Sequence, residues 1–375
     1  MDPQPGYPNQ PSSAPSPQPA TQRPAVQMPE GPVRVVLEQP SRFWSKMASR
    51  LLWIGLAVLL LVVINQRAMY QEYFQSPGDS LQEKYHSLEK LSSNKIAIIE
   101  VEGTIISGDG FVKKQIDRVR EDKNVKAVVL RVNSPGGTVT GSDYIYHHLK
   151  QLIKDKNIPM VVSMGSLAAS GGYYVSMAAG EKEKLIYAEP TTWTGSIGVI
   201  IPHYDISGLL KKWDVVDDSI ASGPLKQMLS PTRTADAAVE EREQAVVKKL
   251  VEECFGDFKQ IVLDSRPALR NDQALQDTVF TGQIFTAKQA LKNGLVDEIG
   301  FLEDAIDRAL QLASLSKDNA RVVRYNQPLG ALSELLGASA SQQSSRIDVG
   351  QLLDLTAPRA YFLCTWLPSI ITTAK

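Results

Sequence analysis

The chain has 375 residues, 43% of them hydrophobic, with 40 basic and 41 acidic side chains and a formal net charge of -1. That length holds one large domain or two ordinary ones, and the charge balance offers none of the clustered basic surface that nucleic-acid binding needs. Cys254 and Cys364 are too few for a disulfide scaffold or a cysteine zinc site, and His86, His147, His148 and His203 lack metal-ligand spacing, so no metal or other cofactor is expected.

Ten of the 22 prolines precede residue 33, interleaved with Gln and Ser. So little apolar side chain cannot offset the entropy of ordering, and residues 1–48 read as a disordered tail. An uncharged run, LLWIGLAVLLLVVINQ at 51–66, follows between Arg50 and Arg67. As a helix it spans about 24 Å, short of the roughly 30 Å hydrocarbon core. Snorkelling arginines and Trp44 or Trp53 at the interface close that gap. The run starts too far into the chain for a cleaved signal peptide, and no small-residue cleavage site follows. A transmembrane anchor is therefore expected at 49–67. Arg23, Arg34, Arg42, Lys46 and Arg50 precede it, against Arg67 and Lys84 just after. The positive-inside rule then places the tail in the cytoplasm and the rest outside, on a single-pass protein of the cytoplasmic (inner) membrane.

Residues 70–93 read as a polar helical stalk, within a segment at 68–94. The pattern changes at Lys95. Strand-like runs at 96–101 (IAIIEV), 126–132 (KAVVLRV), 159–163 (PMVVS) and 184–187 (KLIY) alternate with helical patterns at 111–121, 142–154 and 173–179. That alternation predicts an α/β domain with a mainly parallel sheet, at 95–315. A long charged helix is expected at 235–263, and a block at 285–312 carries GLVDEIG between helical patterns. The C-terminal extension, 316–375, holds a Ser/Gln/Ala-rich loop at 339–345. It ends in AYFLCTWLPSIITTAK, interrupted by Pro368 and read as a docked or membrane-surface segment.

Three glycine-rich or proline-containing clusters sit where α/β sheets place their sites. The first, NSPGGT at 133–138, follows a strand; its two glycines permit a turn that aims a backbone N–H at a developing oxyanion, or simply an ordinary strand-to-helix turn. The second, GSLAASGGYY at 165–174, crowds small residues around Ser170. This serine either opens to substrate at a helix start or caps the helix. The third, SGPLKQMLSP at 222–231, holds Lys226 among apolar and proline neighbours. A lysine serves as a general base only where burial lowers its pKa well below about 10.4; otherwise it is a solvated loop residue. A serine needs such a base, and His203 is the competing candidate.

Together, NSPGGTV, MGSLAASGGYYVS, TGSIGV, SGPLKQMLSP and GLVDEIG, in that order, resemble the signal peptide peptidase A (protease IV) family in its short form with one anchor and one catalytic domain. The resemblance spans about residues 95–312 and implies a Clp/crotonase-like α/β fold of repeated ββα units behind an N-terminal transmembrane helix. It also implies a Ser–Lys dyad with Ser170 as nucleophile and Lys226 as general base. Gly137 would supply an oxyanion-hole N–H, and Ser196 of TGSIGV would position the lysine. Family members are expected to form ring-shaped homo-oligomers in which each subunit completes its neighbour's site. They would cleave extended apolar peptides, such as signal-peptide remnants, near the membrane. Two other readings stand beside this one: a non-catalytic membrane-anchored ring scaffold, and a crotonase-like acyl-CoA enzyme, which would use the same kind of oxyanion turn.

Overall fold

The computed structural model describes residues 42–74, 81–182, 184–326 and 360–363. The expected tail up to residue 41 and the 339–345 loop lie outside them. The chain divides into two compact units, Met1–Tyr70 and Gln71–Lys375.

Helix α1 (Arg42–Phe74) carries the apolar run. Within it, Lys46–Arg67 is 22 residues with none of its hydrophobic window buried, about 33 Å of helix at 1.5 Å per residue. Leu52 and Trp53 are 69% and 67% exposed, so this is not a core helix. By length and composition it can cross a membrane.

The second unit is built on one mixed sheet. Its strands are β1 (Gln82–Leu88), β2 (Lys95–Glu102), β3 (Val125–Ser134), β5 (Met160–Ala169), β6 (Ile186–Ala188), β9 (Glu298–Ile299) and β10 (Arg321–Asn326), in the order β1-β10-β2-β3-β5-β6-β9. All neighbours from β10 to β9 pair in parallel. The central strands β2, β3 and β5 are sandwiched between layers, which is why they read as near-continuous Val/Ile runs rather than alternating ones. Ile96, Ile98, Val128, Leu130 and Val162 are at most 1% exposed.

The segment expected as a helical stalk is corrected by β1, which pairs antiparallel with β10 at the sheet edge. Its polar residues suit an edge strand, which needs only one covered face and gains from charge. Glu83 bonds Lys95 (2.7 Å) and faces Arg321. With β10 beyond residue 315, the sheet outgrows the expected 95–315 domain at both ends.

Twice a long strand is followed by a short extended piece and then a helix. After β2 comes Ile105 and then α2 (Phe111–Glu121); after β3 come β4 (Gly136–Thr138) and α3 (Val139–Lys156). This is the repeated ββα pattern. The short pieces form a second small sheet: Ile105 beside Gly137, β4 beside β11 (Tyr361–Leu363), and Tyr361 beside Ile200. The apolar C-terminal end is thus docked at 361–363; Cys364 and all after it lie outside the described residues.

After β5, α4 (Gly171–Ser176) packs against β3, β5 and α3, and β7 (Trp193–Gly195) pairs with the end of β5. A peripheral α5 (Ser207–Lys212) precedes the long charged helix α6 (Ala237–Ser265), and α7 (Pro267–Arg270) and α8 (Gln273–Val279) follow it. Then come β8 (Ile284–Thr286), paired with β7, α9 (Ala287–Lys292) and α10 (Leu302–Leu312). The GLVDEIG block is explained by one buried knot. Asp297 accepts from Leu185 and Ile186 N–H (both 2.9 Å) and from Arg266 (2.6 Å), whose Nε donates to Gly294 O, while Tyr173 Oη donates to Leu295 O. It fastens α6 and α4 to the start of β6.

Candidate active site

Ser170 sits at the elbow between β5 and α4, with φ 53 and ψ -114. L-residues rarely adopt that region, which costs of order 1–3 kcal/mol. Its N–H donates to Gly195 O (2.7 Å), and its own carbonyl accepts from Tyr174 N–H (2.8 Å). The residue is 1% exposed, its side chain caps no helix N–H, and Oγ has no hydrogen-bond partner among the described residues. The helix-cap reading of Ser170 therefore fails. A buried hydroxyl left unpaired on a strained elbow is destabilising twice over, which points to a functional rather than a structural residue.

The PGG turn lies against this elbow. Ser134 Oγ donates to Gly103 O (2.6 Å) and accepts from Gly136 N–H (3.1 Å), closing the turn. Gly136 has φ +97, and a Cβ on Gly137 would stand 1.9 Å from Ile105 O. A Cβ on Gly171 would meet Ser142 Oγ at 2.4 Å, Gly136 Cα at 3.0 Å and Gly137 N at 3.1 Å. Glycine is required wherever the two turns touch.

The small sheet decides where the Gly137 N–H points. Ile105 N–H donates to Gly136 O, and Thr138 N–H donates to Ile105 O, both at 2.8 Å. Alternation along β4 then turns the N–H groups of Gly137 and Val139 to the opposite edge. There β11 lies: Val139 N–H donates to Ala360 O (3.1 Å), and Phe362 is in register with Gly137. On its far side β11 exchanges two bonds with Ile200, Tyr361 N–H to Ile200 O (2.9 Å) and Ile200 N–H to Tyr361 O (3.0 Å). The groove beside Ser170 is strand-wide, with hydrogen-bonding groups on both walls.

Ser196 is next to this centre. It is 8% exposed, at φ 51, one residue past the Gly195 carbonyl that holds Ser170, and its N–H donates to Gln283 O (2.7 Å). Lys226 is not brought to Ser170 within one chain. It lies exposed in a turn, its N–H donating to Gly223 O (3.1 Å), and its ammonium has no hydrogen bond or ion pair among the described residues. His203 is exposed as well, beside Asp205, Arg233 and Glu243. His147 and His148 are on α3, where His148 packs on Tyr144 with ring centroids 4.3 Å apart. Among the described residues no His/Cys/Asp/Glu group could hold a metal ion.

Residues not singled out in the sequence complete the site. Gly171 N lies beside Gly136, where a Cβ would stand 2.6 Å from it. Tyr174 donates to Asp143 Oδ1 (2.8 Å), and burial, then that hydrogen bond, pushes its phenol far above the ordinary range, so it stays a neutral donor. Its ring, with Phe258 of α6, encloses Phe362. Only the aromatic doublet after SGG hinted at this.

What the arrangement can support is acyl transfer: a strained serine with no hydroxyl partner among the described residues, glycine backbone packed against its elbow, and a short strand held alongside. The sequence model of peptidase family S49 matches residues 153–316, and that of Clp protease matches 82–194. A putative protease of Synechocystis sp. is 36% identical over 257 residues, covering 68% of this chain and 88% of its own. The chain belongs to peptidase family S49. A protein of Enterococcus faecium, likewise provisionally named signal peptide peptidase SppA, is 37% identical, covering 66% of this chain and 70% of its own. Protease 4 of Haemophilus influenzae is 34% identical over 60% of this chain and 36% of its own. A ClpP1 mutant from Listeria monocytogenes superposes with a TM-score of 0.36 at 18% identity, over 57% of this chain and 95% of that one. As an S49 protein of the SppA/protease 4 kind, the chain is a serine protease; the acyl-CoA reading finds no counterpart among these relatives.

Proposed function

We propose that this S49 protease is a membrane-anchored endopeptidase in which Ser170 is the nucleophile and Lys226 the general base. The observation that carries the proposal is the buried Ser170 hydroxyl, without a partner among the described residues, on an elbow packed against Gly136 and Gly137. Lys226 takes the proton of Ser170 Oγ, which attacks the scissile carbonyl carbon. The N–H groups of Gly137 and Gly171 hold the resulting oxyanion, each donor contributing about 2.7–4 kcal/mol by analogy with comparable sites. Lys226 then protonates the leaving amine, and water, deprotonated by the same lysine, releases the acyl group.

A lysine acts as a base only when its ammonium is desolvated. Lys226 stands on the segment that also exposes Tyr204 (77%), Trp213 (70%), Val216 (81%) and Ile220 (101%), an apolar surface of the kind that a second copy covers. We therefore assign the base at each Ser170 to the Lys226 of a neighbouring subunit in a ring, with Ser196 holding its ammonium. The strand-wide groove fits an extended peptide. The apolar α1 and the signal peptide peptidase name of the Enterococcus relative favour membrane-proximal apolar peptides, signal-peptide remnants among them. The excess of basic residues before the span favours a cytoplasmic N-terminus and a protease domain outside.

An active-site-directed fluorophosphonate tests the nucleophile. It is expected to label the full chain in detergent at Ser170 alone, located by peptide mass mapping. Labelling at another serine, or undiminished labelling of Ser170→Ala, would overturn the assignment.

A further inference from the structure

We infer that Asp217 and Thr232 clasp the Lys226 loop into a preformed arm, which makes them positioning residues for the general base. The inference rests on the proposed lysine chemistry and adds to it what holds the lysine in place.

The loop has no apolar core to fix its shape. Val216 and Ile220 are 81% and 101% exposed, and Lys226 itself is exposed. Left free, a coil of this length would carry its tip over a distance on the order of 15 Å. Polar contacts hold it instead. At the base, one carboxylate oxygen of Asp217 accepts from Thr232 Oγ1 (2.5 Å). The other accepts from the N–H (3.1 Å) and the hydroxyl (2.5 Å) of Ser219. Asp217 thereby joins the two ends of segment 217–232. The hydrogen bonds from Ser219 and Thr232 hold its carboxyl down at about 2, so it stays an ionised acceptor at neutral pH.

Above the base, Gln227 Nε2 donates to Ser219 O (3.0 Å), which ties the residue next to Lys226 to the clasp. At the tip, Lys226 N–H donates to Gly223 O (3.1 Å) and Ser230 N–H to Gln227 O (3.0 Å). Beyond the clasp the arm is fastened to the body of the domain. Arg233 pairs with Glu243 of α6, which is buried, and Ile206 N–H donates to Pro231 O (2.8 Å) just before α5. All of these contacts run through the backbone and through neighbours of Lys226, and none uses its ammonium. A base offered to another subunit's serine has to arrive already shaped, because the entropy of ordering a mobile loop otherwise adds to the barrier.

The test uses the full chain in detergent, an apolar fluorogenic peptide and mixtures of variants under subunit exchange. Asp217→Ala is expected to lower kcat about 10- to 100-fold with KM little changed, the signature of a displaced catalytic group rather than of lost substrate binding. Thr232→Val, which removes the same bond from its other end, is expected to match it, and the double variant to lose no more than about twofold beyond either single one. Mixed with Ser170→Ala, which carries an intact arm, Asp217→Ala is expected to exceed either protein alone. Mixed with Lys226→Ala, whose arm lacks the base, it is expected to stay at or below its own level. An unchanged kcat in Asp217→Ala overturns the inference, as do losses that multiply in the double variant or two mixtures that behave alike. Ser170→Ala mixed with Lys226→Ala is the control. No recovery there contradicts the shared site on which the inference stands, whereas recovery there with none for Asp217→Ala plus Ser170→Ala contradicts the clasp alone.

Discussion

The backbone N–H of Ser170 donates to the carbonyl of Gly195 across 2.7 Å. That bond ties the serine elbow at the end of β5 to the residue preceding Ser196, and it fixes the direction of α4 without using the hydroxyl. The fold holds Ser170 by its main chain and leaves Oγ unassigned.

Ser170→Ala is accordingly expected to abolish peptide hydrolysis without loss of stability. Removing a buried hydroxyl that makes no hydrogen bond forfeits none, and relieves its desolvation. Thermal unfolding should show Tm unchanged or raised by a degree or two. A Tm lowered by more than about 4 °C would mean that Oγ has a structural partner.

Gly171→Ala should have the opposite profile, impairing the site through its packing. The new Cβ would stand 2.4 Å from Ser142 Oγ and 3.1 Å from Gly137 N, so the elbow must move away from the PGG turn. A fall in kcat of about 10²–10³, the cost of one lost oxyanion donor, is expected, with a stability loss of about 1–3 kcal/mol. Steady-state kinetics and urea unfolding of the same sample read both.

The buried knot at Asp297 is the strongest stability prediction. Asp297→Ala leaves Arg266 and the N–H groups of Leu185 and Ile186 without their acceptor. Arg266 and Asp297 side chains are only 8% and 15% exposed, so breaking the pair should cost about 3–5 kcal/mol. Asp297→Asn, which keeps an acceptor oxygen, should cost less. Equal losses in urea unfolding would mean that the lost charge, and not the lost acceptor, sets the cost.

These contacts mark where the sequence was legible and where it was not. The parallel core strands β2, β3 and β5 announced themselves as Val/Ile runs, because a strand buried on both faces has no polar side to show. The turns carrying Gly137 and Ser170 were visible because only small residues survive where two backbones touch. Gln82–Leu88 misled, since charged residues in an edge strand carry no alternation strong enough to separate it from a polar helix. Arg266 with Asp297, and Phe362 with Tyr174 and Phe258, have no local signature at all: each pair is joined only by the folded chain. Lys226 is the instructive case. Its loop stood out in the sequence, yet a single chain does not deliver it to Ser170.

A pH dependence of stability follows from Glu100. Burial, and secondarily the charge of Glu102, hold its carboxyl above the ordinary range, with Arg324 and Arg131 pulling the other way. The folded state therefore binds this proton more tightly than the unfolded state, and stability falls as pH rises from the ordinary carboxylate value through the raised one. Glu100→Gln should leave Tm unchanged near pH 4 and raise it at pH 7 by about 1–3 °C. A larger gain at pH 4 than at pH 7 would contradict that sign.

The central claim, a dyad of Ser170 with the Lys226 of another copy, is tested most directly by mixing two inactive proteins. Full-length Ser170→Ala and Lys226→Ala are purified separately in detergent, assayed alone on an apolar fluorogenic peptide, then mixed under conditions that let subunits exchange. Each alone is predicted to be inactive. The mixture is predicted to recover a substantial fraction of wild-type hydrolysis, because some sites then pair an intact serine with an intact lysine from its neighbour. Activity retained by Lys226→Ala alone would remove Lys226 from the mechanism, and a mixture that exchanges subunits yet stays inactive would contradict a site shared between chains.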